Sequence, residues 1–143
     1  ESDKSRLKET SLSWDELADA LSGTKARIIV FIDACHSGAV PDGGTNDEIA
    51  GVLEAHKARF TIVAAAKGRQ ESFESAALGG GYFTGAIVRA LTADRADTDS
   101  NHNGVIELSE VYRRIKPAVV SAAKGAQTPW LARADMVGEV PLF

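Results

Sequence analysis

Scarcities bound this chain before any motif does. Only one of its 143 residues is a cysteine, Cys35. No internal disulfide can form, and a lone thiol suits a reducing, cytoplasmic compartment. Basic residues are outnumbered, 16 Lys+Arg against 20 Asp+Glu, for a net charge of −4. That balance argues against a nucleic-acid partner. Long hydrophobic runs are missing: Ile28–Ile32 stops far short of the ~18 residues a membrane span needs. No charged-then-apolar signal peptide opens the chain. Neither nucleic acid nor membrane is therefore expected as a partner. What is present is a 44% apolar fraction with 25% charged residues. This excludes disordered and collagen-like classes, and it suits one domain over residues 1–143 rather than two.

Patterning then divides the chain. Ser13 and Glu16 form a capping box, flanked by Leu12 and Leu17 at the staple positions, and Gly23 supplies a stop. The spacing predicts a helix over Ser13–Leu21. Arg27–Asp33 (RIIVFID) and Phe60–Ala66 (FTIVAAA) read as strands buried on both faces. Between them, Ala39–Thr45 is a loop, and a second capping box, Thr45 with Glu48, opens a helix bearing Ile49, Val52, Leu53 and His56. Lys67–Gly81 is a long polar loop, and long loops are often functional. A helix over Tyr82–Thr92, a polar stretch Asp94–Asn103, and a helix over Glu110–Ala123 follow. Pro117 should kink or interrupt that last helix. Gln127–Phe143 is extended and turn-rich, with room for a short final strand. Strands alternating with helices argue for an α/β sandwich around a mostly parallel sheet.

In such sheets ligands bind outside the carboxyl ends of the strands. Cys35 sits just past the first strand, at such an end. Position alone leaves two readings: a small buried hydrophobe, the common fate of a lone cysteine, or an accessible nucleophile. The segment Asp33-Ala34-Cys35-His36-Ser37-Gly38 after an apolar strand changes the balance. It resembles the nucleophile strand of the caspase-like cysteine peptidases, in their metacaspase, orthocaspase and bacterial caspase-like branch. It departs from the animal caspase signature Gln-Ala-Cys-[Arg/Gln/Gly]-Gly by Asp33 and by His36-Ser37. The resemblance continues through Arg69-Gln70-Glu71-Ser72, which is similar to a substrate-binding loop. It extends through Gly81-Tyr82-Phe83-Thr84, similar to a Gly-x-Phe-Thr helix start, and through Gln127-Thr128-Pro129. It implies a partial caspase-like αβα sandwich, the N-terminal strands being absent, with Cys35 as the catalytic thiol.

The resemblance also implies a Cys–His dyad, the histidine lying ~50 residues before the cysteine in caspases. None of residues 1–34 is a histidine. The expected base therefore falls upstream of Glu1, on the N-terminal part of the same enzyme. The chain then reads as a C-terminal fragment or processed subunit, a view favoured by its start at Glu1 rather than Met. His36 adjoins the thiol and in extended chain points away from it. His56 reads as a helix residue and His102 as a solvated loop residue. Of the oxyanion-hole donors, only the Cys35 N–H belongs to these residues.

In the metacaspase-like branch the Asp two residues before the cysteine lines the S1 pocket, which implies that role for Asp33. A carboxylate there would pair with Arg or Lys at P1 and repel Asp. Asp33 as a simple turn former is the alternative. Lys67–Glu74 would form another pocket wall. Farther on, Asp99–Glu110 matches an EF-hand loop at each required position: Asp99, Asn101 and Asn103, the turn residue Gly104, the Val105 carbonyl, Glu107, and Glu110 as bidentate ligand. Ca²⁺ in this loop is thus an expectation, although the peptidase chemistry requires no cofactor. A polar turn that caps the next helix is the alternative. Gly79-Gly80-Gly81 lacks the tail of a P-loop and reads as a plain loop. The leading expectation is a cysteine endopeptidase cutting protein or peptide substrates after Arg or Lys. The second is an inactive caspase-like module that binds a partner or calcium. An unrelated α/β domain with an inert thiol is the third.

Overall fold

The structure, a computed structural model, describes residues 13–33, 60–67, 70–75, 80–133 and 139–143. The first helix, α1 (Trp14–Ser22), begins where the capping box predicts. The Ser13 hydroxyl accepts from the Glu16 N–H at 3.2 Å, and the Glu16 carboxylate accepts from the Ser13 N–H at 2.8 Å. The helix ends at Gly23 in right-handed conformation, φ −76°. The stop is therefore not the left-handed turn that glycine usually provides.

Strands β1 (Ile28–Ile32) and β2 (Phe60–Ala64) pair in parallel, Ile28 opposite Phe60 and Ile32 opposite Ala64. The segment that joins them, with the expected loop and the helix carrying His56, lies outside the described residues. Next come a short antiparallel pair, β3 (Glu74–Ser75) and β4 (Gly80–Gly81), then α2 (Tyr82–Leu91), α3 (Arg95–Thr98), α4 (Leu108–Ala122) and β5 (Trp130–Arg133). Strand β5 joins the outer edge of β2 in antiparallel register, Ala64 opposite Trp130, giving the order β1-β2-β5. The sheet is mixed.

Alternation along the strands sorts side chains to two faces. Ile28, Val30, Ile32, Ile62 and Ala64 meet Ala18 and Leu21 of α1, with Trp130 packed against them. On the other face Ile29, Val63, Ala65 and Leu131 meet Phe83 and Ala90 of α2 and Val111, Ile115 and Val119 of α4. Among the described residues, one helix on one side and two on the other make the expected αβα sandwich. Among the described residues no helix is long and apolar enough to cross a membrane.

Three local expectations change. The 67–81 segment contains the β3–β4 pair rather than only loop. The 94–103 stretch contains α3, whose Thr98 hydroxyl folds back on the carbonyls of Ala90 (2.8 Å) and Asp94 (2.9 Å). Helix α4 begins at Leu108 rather than Glu110, because the Glu110 carboxylate reaches back to the Glu107 N–H at 3.1 Å and closes the first turn. Pro117 lies within α4 without ending it. It is exposed, so water can serve the carbonyl that loses its helical donor.

Phe83 is fully buried at the α2–α4 contact with the sheet. Phe83→Ala is expected to lower unfolding free energy by about 3–5 kcal/mol, read from urea denaturation. A loss under about 1 kcal/mol would show that the site is not part of a packed core.

Candidate active site

Asp33 follows β1 directly and is exposed at its carboxyl end. Its carboxylate is held on both oxygens. The Ser72 hydroxyl donates to Oδ1 at 2.6 Å. The Thr84 hydroxyl donates to Oδ2 at 2.5 Å, and the Thr84 N–H at 3.3 Å. Thr84 stands in the first turn of α2, whose N-cap, Gly81, has no side chain to offer. Asp33 thus caps α2 from another element, where the helix dipole favours a negative charge. Gly81 is required for this approach: a Cβ there would stand 2.5 Å from Asp33 Oδ2.

Ser72 and its neighbours are held in turn by the segment before β5. The Gln127 side chain is fully buried. Its Oε1 accepts from the Phe73 N–H at 2.9 Å, and its Nε2 donates to the Ala65 carbonyl at 3.0 Å and to the Ser72 hydroxyl at 3.4 Å. The Thr128 N–H donates to Gln70 Oε1 at 3.0 Å. Pro129 is anchored to α4 through the Tyr112 hydroxyl, 2.9 Å from its carbonyl. Four pieces of the chain therefore converge on the rim beyond β1: Asp33, the 70–73 segment, the start of α2, and 127–129.

Cys35, the expected nucleophile, lies outside the described residues, as does His36. Ser72, Thr84, Gly81 and Gln127 were not expected to act together. Each stands in a motif of the sequence, but nothing in local spacing reveals that all four bear, directly or in relay, on one carboxylate.

None of the hydrogen bonds just described at the rim involves the 99–110 loop. Gly104 adopts left-handed φ, 82°, as the sixth position of an EF-hand loop needs, and His102 does the same at 56°. Asp99 accepts from the N–H groups of Asn103 (3.1 Å) and Gly104 (2.9 Å). Asn101 and Asn103 donate their amides to Glu107 at 3.2 and 2.8 Å. The Val105 N–H donates to Asn103 Oδ1 at 2.7 Å. Glu110, only 3% exposed, accepts from the N–H groups of Ser100 (2.8 Å), Asn101 (3.3 Å) and Glu107, and from the Ser100 hydroxyl (2.9 Å). The second half of the loop is ladder: Ile106 exchanges bonds with Phe143 and Leu142 at 2.9 and 2.8 Å, and the Leu108 N–H reaches the Val140 carbonyl at 2.8 Å. Among the described residues no group of three His, Cys, Asp or Glu is set to hold a metal ion. In this arrangement the loop's carboxylates are occupied by its own donors.

Burial alone would favour the protonated form of Glu110. The donors from Glu107, Ser100 and Asn101 outweigh it and hold the acid down at about 2. A lowered folded-state pKa contributes stability that is complete above the ordinary value near 4.5 and lost as pH falls toward about 2. Glu110→Gln is therefore expected to flatten the loss of stability between those two pH values, measured by urea unfolding at pH 3 and pH 7. An unchanged acid limb would remove Glu110 from the linkage.

The described elements form an αβα sandwich with the Asp33 carboxylate at the rim beyond β1. The family described as Caspase domain matches residues 3–140, and the chain belongs to it. No curated protein and no solved structure gives a significant match. The family is one of cysteine endopeptidases, so a peptidase-type function on protein substrates goes with membership.

Proposed function

We propose that the chain is the cysteine-bearing part of a caspase-like endopeptidase that cleaves after Arg or Lys. Cys35 is the nucleophile, and a histidine outside residues 1–143 is the base. A reducing cytoplasm, where a lone thiol stays free, belongs to the same proposal. The observation that carries the specificity is the Asp33 carboxylate, fixed at the strand rim two residues before the thiol and still exposed. A carboxylate has about four acceptor positions. Thr84 takes two on Oδ2 and Ser72 one on Oδ1. Among the described residues this leaves one position on Oδ1 unoccupied, and we assign it to a basic P1 side chain. This favours a single charge-assisted bond over the two-pronged guanidinium contact that a free carboxylate would offer. Lys and Arg are then both acceptable.

In the reaction the Cys35 thiolate attacks the carbonyl carbon after the basic residue. The C–N bond breaks, and the amine leaves with the proton that the histidine took from the thiol. Water then attacks the thioester, giving the carboxylic acid and returning the thiol. The Cys35 N–H is one donor to the oxyanion. With the full-length enzyme, peptides bearing Arg or Lys at P1 are expected to be cut. Asp-P1 peptides should react at least about a hundredfold more slowly, since like charges would face each other. Cys35→Ala should abolish turnover with the fold retained. Cleavage of the Arg-P1 peptide by the Ala variant, or equal rates after Arg and Asp, would overturn the assignment.

A second proposal concerns the 99–110 loop, as a calcium site in either an active peptidase or an inactive regulatory module. It is supported by left-handed Gly104 and by the placing of the loop between α3 and α4. The residues that would hold the ion are Asp99, Asn101, Asn103, the Val105 carbonyl, Glu107 and Glu110. Binding would require Glu110 to exchange its N–H partners for the cation. Calorimetry with Ca²⁺ should show heat for the wild type and none for Glu110→Gln. No heat in either removes calcium from the account.

A further inference from the structure

A hydroxyl has one proton to give, and what it accepts decides where that proton goes. The Ser72 hydroxyl accepts from Gln127 Nε2 at 3.4 Å and lies 2.6 Å from Asp33 Oδ1. The amide occupies an acceptor position on Ser72 and turns its proton toward the carboxylate. Gln127 is in turn fixed at both ends of its amide, by the Phe73 N–H (2.9 Å) and the Ala65 carbonyl (3.0 Å), with no exposed surface. These two bonds tie the 70–73 segment to the chain just past β2. An amide is the neutral side chain that accepts at one tip and donates at the other. Apolar replacements would leave the Phe73 N–H and the Ala65 carbonyl without these partners.

We propose that Gln127 is a positioning residue for substrate specificity: acting through Ser72, it fixes which acceptor position of Asp33 faces the basic P1 side chain. This rests on the reading of Asp33 as the P1-binding carboxylate. Asp33 is held from two sides, by Thr84 on Oδ2 and by the Gln127–Ser72 relay on Oδ1. Only the second side shares its oxygen with substrate. Loss of the relay lets the carboxylate turn about its last bond and spreads the open acceptor position over several directions. Binding of a basic group then weakens, while the chemistry at Cys35 is not touched.

The test uses the full-length enzyme with an Arg-P1 peptide, and benzamidine, a small aryl amidinium, as a competitive probe of the pocket. Gln127→Ala and Ser72→Ala are each expected to raise KM about tenfold, the scale of one hydrogen bond to a charged group. kcat should stay within about twofold. The inhibition constant of benzamidine should rise in parallel. The double variant should be no worse than the worse single variant, since both lie on one relay. Gln127→Glu keeps the acceptor for Phe73 but loses the donor to Ser72, and should match Gln127→Ala in KM.

A merely structural role would lower the melting temperature and the amount of active enzyme. It would leave KM and the benzamidine constant of the folded fraction unchanged, and that result overturns the proposal. Additive losses in the double variant overturn it as well. If Gln127→Ala does not fold, Ser72→Ala carries the same test, because it leaves both backbone ties of Gln127 in place. Failure of the wild type to prefer basic P1 peptides defeats the reading of Asp33 itself, and this proposal with it. A wild type that prefers them, with variants of unchanged KM, defeats this proposal alone.

Discussion

The Asp33 carboxylate holds together the rim beyond the carboxyl end of β1. It ends β1, caps α2 in place of a residue that has no side chain, and takes the Ser72 hydroxyl from the neighbouring segment. Removal of that charge would leave the first turn of α2 without the cap that Asp33 supplies and would take away the 2.6 Å bond from Ser72. The same atoms thus serve the fold and, under the proposed function, recognition. A Cβ at Gly81 would displace this carboxylate from the position in which it caps α2. A carboxylate kept in place by fixed donors costs little reorganisation when a cation arrives, which is the condition for discrimination by charge.

A different logic governs the segment before α4. The 99–110 loop closes on itself through backbone donors and joins the C-terminal residues by a short ladder through Ile106 and Leu108. Both of those side chains are buried in the α2–α4 core. The loop is therefore continuous with the core on one side, while its polar half faces water. Glu110 stands at the junction, buried and still anionic. Its partners are mostly main-chain N–H groups, which have no competing charge to neutralise it. Helix α4 begins at this loop and reaches Pro129 through Tyr112, so one element touches both polar centres.

Much of this was legible in the residues. The capping box of Ser13 and Glu16, the two apolar strands and the helix after Gly81 lie where their patterns place them, because those patterns are local. The αβα layering followed from alternation. The β3–β4 pair and α3 were hidden, since two-residue strands and a single helical turn leave no periodicity to read. The site was legible only in pieces. Asp33 was singled out by its place before the thiol. Ser72, Thr84 and Gln127 each stood in a recognisable motif without a role, because their partners are 39, 51 and 55 positions away along the chain. Long-range hydrogen bonds have no sequence period.

The direction of β5 has a consequence of its own. With Trp130 opposite Ala64, the strand enters the sheet beside the end of β2 and leaves beside its start. Its entry loop, not its exit, is delivered to the edge where Asp33 stands. A parallel β5 of the same four residues would bring Gln127 in at the opposite rim, about 13 Å away at strand rise per residue. The polarity of this one strand is in this sense an address, set by backbone pairing alone, that brings a distant stretch of chain to the side of the sheet where Asp33 stands.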